Sequence, residues 1–256
     1  MLRRLFQQFT RKGDRPSFVL PKRGKGTTYN HDGLATRHNH DFMTDPEFLD
    51  AYRRGVMAAG KDYFWYWRVH VGLWAARSAA RLPGDFVECG VNRGFLSSSI
   101  MHMLNWDSLD KTFFLLDTFN GLDEQLVSNA ERQDGALKKN RRDLEEGFYV
   151  RGSDIVRDNF SEWKNVCIIE GVVPDTLSQV QTGKVAFLHL DMNCAEPEVA
   201  AANYFWDKLV PGALVLLDDY AFEGFIHQKK AMDAFAREKN IDILSLPTGQ
   251  GLLIAP

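Results

Sequence analysis

Cysteine is scarce in this sequence: three in 256 residues, Cys89, Cys167 and Cys194, with no Cys-x-x-Cys pair. An odd number at wide spacing excludes a disulfide framework and favours a reducing compartment, so a cytoplasmic location is expected. Each cysteine lies in or beside an apolar run and reads as a small core residue. No apolar stretch reaches the roughly 20 residues needed to span a bilayer. Arg3-Arg4 is followed by no apolar h-region, so no secretory signal is expected. The GxSxG nucleophile elbow is missing, and so is the GxGxxG dinucleotide fingerprint. Net charge is only −3, which argues against nucleic acid as a partner.

What the chain does have is core material. Apolar residues make up 45%, with 18 Phe and 6 Trp, enough for one large domain with or without an extension. Charge is uneven. Residues 1–40 hold nine Lys/Arg against two Asp/Glu, a balance of +7, which leaves −10 for the rest. MLRRLFQQFTRK places Leu2, Leu5, Phe6 and Phe9 at helical spacing. It reads as a packed or frayed terminal helix rather than one lying on a membrane. Residues 13–40 read as irregular. MTDPEFLDAYRRGVMAAG reads as a helix capped by Thr44 or Asp45, with Pro46 in its first turn. A basic arm and helical extension is therefore expected over residues 1–61, ahead of a domain spanning 62–256.

From Gly84 onward, short apolar runs alternate with helical patterns. The runs are DFVECG, TFFLLD, NVCIIEG, KVAFLHLD and GALVLLDDY, and IDILSL and GLLIA close the chain around PTGQ. This predicts an α/β fold: a doubly wound, mostly parallel, seven-stranded sheet. Val173 to Gln181 reads as a short helix. Residues 120–147 are highly charged, without apolar periodicity, and read as a long loop or lid.

Three acids stand where strands stop. Asp191 ends KVAFLHLD and Asp218-Asp219 end GALVLLDDY, with a crossover helix between. Parallel strands joined by a helix end on one edge of the sheet, where ligands bind. Gathered like charges call for a cation, and an all-oxygen set suits Mg²⁺. Helix capping or pairing with Arg is the plainer alternative. The first strand ends in Glu88-Cys89-Gly90-Val91-Asn92-Arg93-Gly94. A carboxylate at Glu88 would repel a pyrophosphate and attract an α-ammonium. That favours S-adenosylmethionine over a dinucleotide. Asp117, with Thr118 beside it, ends the second strand and suits ribose hydroxyls. Gly171 would let the chain pass close to an adenine.

In the order FVECGVNRG, LLDTFNGLD, CIIEGVVPDTL, LHLDMN, PGALVLLDDY and AMDAF, the chain resembles the macrocin O-methyltransferase family over about residues 42–240. These are metal-dependent class I enzymes that methylate sugar hydroxyls using S-adenosylmethionine. The resemblance implies Glu88, Gly90 and Asp117 at the cofactor and Asp191, Asp218 and Asp219 at the metal. It implies a small-molecule hydroxyl acceptor, a sugar above all, and is compatible with a homo-oligomer. The sequence departs from the family at Asn193, where a second acid is usual. Asn193 can orient a hydroxyl but cannot take its proton, so His227 is the candidate base, with Glu196 second. Two other readings stay open: a nucleotide-dependent oxidoreductase or epimerase, and a non-catalytic partner-binding module.

Overall fold

The computed structural model describes residues 27–256, so the expected helix over residues 1–12 lies outside the described residues. Residues up to His40 form one unit and Asp41–Pro256 a second. In the first, β1 (Tyr29–His31) and β2 (Leu34–Thr36) make an antiparallel hairpin turning through Asp32 and Gly33.

The second unit carries the α/β fold. Its sheet has seven strands: β3 (Asp85–Cys89), β4 (Phe113–Asp117), β5 (Val166–Glu170), β6 (Val185–Leu190), β7 (Leu209–Leu217), β8 (Leu244–Ser245) and β9 (Gly251–Ile254). Their spatial order is β5-β4-β3-β6-β7-β9-β8. The first five are mutually parallel, and β9 runs antiparallel to both its neighbours. This is the doubly wound sheet expected.

The order of strands along the chain reverses between β3 and β6, which leaves a crevice outside their carboxyl ends. Both faces of the sheet are covered, so the strands read as nearly continuous apolar runs. Phe86, Phe113, Leu115, Phe187 and Leu216 pack on one face with residues of α1 (Pro46–Ala59), α2 (Tyr66–Ala79) and α3 (Phe95–Met103). Val87, Leu116, Leu188 and Val215 pack on the other, with Phe205 of α7 (Ala195–Trp206) and Phe235 of α8 (Ile226–Lys239).

α1 starts where the sequence places it. The Asp45 side chain accepts from the Glu47 N–H, Pro46 holds the first turn, and Gly60 ends the helix at φ 70°. The compact unit begins at Asp41 rather than at residue 62, because Phe48, Ala51 and Tyr52 of α1 belong to the same buried cluster as the sheet. The Val173–Gln181 segment holds only a 3₁₀ turn, Leu177–Gln179.

Residues 120–147 are not a bare loop. They contain α4 (Asn129–Gln133) and α5 (Ala136–Glu145), and α6 (Asp154–Phe160) follows before β5. α4 opens with a capping box between Ser128 and Glu131. Glu131 Oε1 also accepts the Ala195 N–H at 2.9 Å. A buried carboxylate thus sits at the N-terminus of α7, where the helix dipole favours it. The segment is anchored by polar bonds, which is why its apolar periodicity is weak.

Candidate active site

A cleft of about 630 Å³ opens at the crevice between β3 and β6. Gly90, Asp117, Thr118, Gly171, Asp191 and Asn193 all line it, together with residues 119–123 and Tyr149. Gly90 has no substitute here. Its φ is 93°, and an added Cβ would lie 1.9 Å from the Asp191 carbonyl oxygen. The turn after β3 therefore runs against the end of β6, joined by the Asp191 N–H to the Cys89 carbonyl at 2.8 Å.

Asp117 does more than face the cleft. Its Oδ2 accepts the N–H groups of Val91 and Asn92 at 2.7 and 2.8 Å, and its Oδ1 accepts that of Phe119 at 2.7 Å. The carboxylate clamps the glycine turn from below. Asn92 extends the clamp: its Nδ2 donates to the Phe148 carbonyl and its Oδ1 accepts the Val150 N–H. Tyr149 is thereby held in the cleft wall. Burial, then the charges of Asp191, Asp143, Asp219 and Asp117, push its phenol far up, so it stays a donor.

The three strand-end acids converge. Asp191, Asp218 and Asp219 each offer an oxygen, all within 4.8 Å of one another. Their electrostatics are uneven. Burial, then Asp218 and Asp219, raise Asp191 well above the usual carboxylate range. Burial and the charge of Asp218 push Asp219 up to about 6. For Asp218, burial is outweighed by Arg68 and His189, which hold it low. The plainer alternative is thus also present: Arg68 pairs with Asp218 at 3.0 Å and with Asp219 at 3.1 Å. Even so, two of the three acids carry repulsion that Arg68 leaves unrelieved. An oxygen-only set strained in this way fits a hard divalent cation.

Glu88 is not on the cleft wall. Its register partner across β3 and β6 is His189, and its Oε1 meets His189 Nδ1 at 2.9 Å. Its Oε2 is buried with no hydrogen-bond partner among the described residues. His189 Nε2 lies 3.8 Å from Asp218 Oδ1, an ion-pair rather than hydrogen-bond distance. Burial disfavours the imidazolium, but the carboxylates of Asp218 and Glu88 prevail and push His189 up to about 10. A buried polar row therefore runs Glu88–His189–Asp218–Arg68 behind the cleft.

His227 is not among the residues that line the cleft. It follows the 221–225 loop as the second residue of α8, where its Nε2 meets Asp134 Oδ2 at 2.8 Å at the end of α4. Glu196 is exposed on α7. Asn193, at φ 55°, turns its Nδ2 onto Asp191 Oδ1 at 3.1 Å and so orients that acid. The residue missed by sequence reasoning is Glu198. It is buried, accepts from the Met192 N–H and from Gln228 Nε2 at 3.1 Å each, and burial pushes it up to about 8. An acid in the first turn of a helix that starts beside Asp191 was the available signal.

The sequence profile described as Macrocin-O-methyltransferase (TylF) matches residues 74–244, more than half of the chain. The protein belongs to the macrocin O-methyltransferase family. A relative from Streptomyces olivaceus, an 8-demethyl-8-(2,3-dimethoxy-alpha-L-rhamnosyl)-tetracenomycin-C 4'-O-methyltransferase, is 28% identical over 147 residues. That match spans 56% of this chain and 55% of the relative. Among solved structures, the O-methyltransferase NovP superposes with a TM-score of 0.64 at 21% identity, over 79% of this chain and 88% of that one. The calicheamicin methyltransferase CalS11 superposes at 0.58 and 16% identity, over 85% and 94%. Both likenesses show the same fold.

Proposed function

We propose that the protein is an O-methyltransferase that moves a methyl group from S-adenosylmethionine to a hydroxyl of a sugar-containing small molecule, assisted by a divalent cation such as Mg²⁺. The observation that carries this reading is the meeting of Asp191, Asp218 and Asp219 within 4.8 Å beside the glycine turn at the sheet's crevice. Family membership and a relative named for methylating a rhamnosyl group support the acceptor class.

The turn 90–94, clamped by Asp117, and the 117–122 strip would bind the cofactor, with Thr118 and Gly171 at its rim. Glu88, buried off the cleft wall and paired with His189, is left out of the direct cofactor contacts. Asp191, Asp218 and Asp219 would hold the cation, and a bound cation would lower the pKa of an acceptor hydroxyl. Asn193 fixes the rotamer of Asp191. Tyr149, kept protonated by its surroundings, lines the cleft. Positioning of this kind can supply roughly 7–11 kcal/mol of barrier reduction. Among the described residues no helix is long and apolar enough to cross a membrane.

Mass spectrometry of a reaction with S-adenosylmethionine, Mg²⁺ and a panel of rhamnosides tests the reading. A product heavier by one CH₂ group is expected. Nucleotide oxidation or epimerisation in place of that product would favour the oxidoreductase alternative.

A further inference from the structure

The acidic centre already holds a cation of the protein's own. Arg68, on α2, is almost buried at the end of β7, with 10% of its side chain exposed. One nitrogen, Nη2, meets three oxygens: the Asp218 carbonyl at 2.8 Å, Asp218 Oδ2 at 3.0 Å and Asp219 Oδ1 at 3.1 Å. Two of those oxygens belong to carboxylates assigned above to the divalent ion. A lone pair aimed at a guanidinium is not aimed at an ion. The guanidinium already rests on aromatic rings that would keep it in place if it released the acids. Its carbon lies 4.8 Å from the ring centre of Phe222 and 5.9 Å from that of Trp65, and aromatic faces hold a guanidinium well.

We propose that Arg68 is an exchangeable internal cation. Without a divalent ion it holds Asp218 and Asp219 together, and when an ion binds it gives up their oxygens while staying against the flanking rings. This rests on the metal reading above. It follows that Arg68 lowers the site's affinity for ions. Repulsion between a guanidinium and a divalent ion a few ångströms apart exceeds what holding two carboxylates in place contributes. Asp191, which Arg68 does not hydrogen-bond, remains as the first landing point for the ion.

The test is a titration of the full chain with Mn²⁺, free ion read by electron paramagnetic resonance, for the wild type, Arg68→Met and Arg68→Lys. S-adenosylhomocysteine binding is measured by calorimetry on the same samples. Arg68→Met should bind Mn²⁺ at least about tenfold more tightly than wild type, with Arg68→Lys near wild type. In chelator, Arg68→Met should melt lower and gain more from added Mn²⁺. Equal or weaker Mn²⁺ binding by Arg68→Met overturns the exchange while leaving the metal site standing. No Mn²⁺ binding by any of the three, with S-adenosylhomocysteine still bound, overturns the metal reading and the exchange with it. Should Arg68→Met not fold, ¹⁵N-arginine resonances of the wild type, assigned with Arg68→Lys, decide: an Arg68 signal unmoved by saturating Mg²⁺ refutes the exchange.

Discussion

Replacing Asp117 with asparagine separates two jobs that its carboxylate could do. The charge accepts three backbone N–H groups at 2.7–2.8 Å, from Val91, Asn92 and Phe119. Bonds of this charge-assisted kind contribute roughly 1.5–3 kcal/mol each. An asparagine keeps one oxygen and turns an NH₂ toward at least one N–H. The expected loss is therefore about 2–4 kcal/mol, one bond weakened and one donor left facing another donor. For a domain of this size that lowers the melting temperature by roughly 5–15 °C. The glycine turn should loosen at the same time, so S-adenosylhomocysteine affinity should fall together with stability. Thermal melts followed by circular dichroism, and calorimetric titration of S-adenosylhomocysteine, measure both. A variant of wild-type stability that no longer binds the ligand would refute the clamp and make Asp117 simply a ribose acceptor.

Further outcomes follow from the same geometry. Glu131→Ala removes the carboxylate joining α4 to the N-terminus of α7, and should raise hydrogen exchange across residues 120–147 while exchange in β3–β6 stays slow; uniform protection would show that the anchor lies elsewhere. Asp219→Asn should weaken Mn²⁺ binding and methyl transfer while S-adenosylhomocysteine still binds; full activity in excess chelator would end the metal mechanism. Glu198 is pushed from 4.5 up to about 8 in the folded chain. Between those values the folded state keeps a proton that the unfolded state has released, so stability falls as pH rises across that window. Glu198→Gln in chelator should flatten that slope in urea titrations. His189, raised from 6.5 to about 10, contributes stability that is whole below about pH 6.5 and is lost as pH rises toward 10, and His189→Gln should remove that loss.

The sheet was legible in the chain because both its faces are buried: five apolar runs, each ending at an acid or a glycine, leave few other folds. Asp191, Asp218 and Asp219 were legible for the same reason, since topology alone puts the ends of β6 and β7 side by side. What was hidden depended on register and on distant partners. Strand periodicity places Glu88 inward but cannot show that it lies opposite His189. Arg68 meets residues 150 positions away, so nothing local marked it as part of the acidic centre. His227 misled for the same reason. Its ring nitrogen is taken up by Asp134 at the end of α4, a partner 93 positions away that nothing local announced. The helices of residues 129–145 escaped notice because polar anchors such as Glu131 and Asn140 are buried in place of an apolar stripe.

Calorimetric titration of the wild-type chain with S-adenosylhomocysteine, and separately with NAD⁺, tests the central claim most directly. The account predicts a single site of micromolar affinity for S-adenosylhomocysteine and no heat from NAD⁺. Heat from NAD⁺ with none from S-adenosylhomocysteine would contradict it.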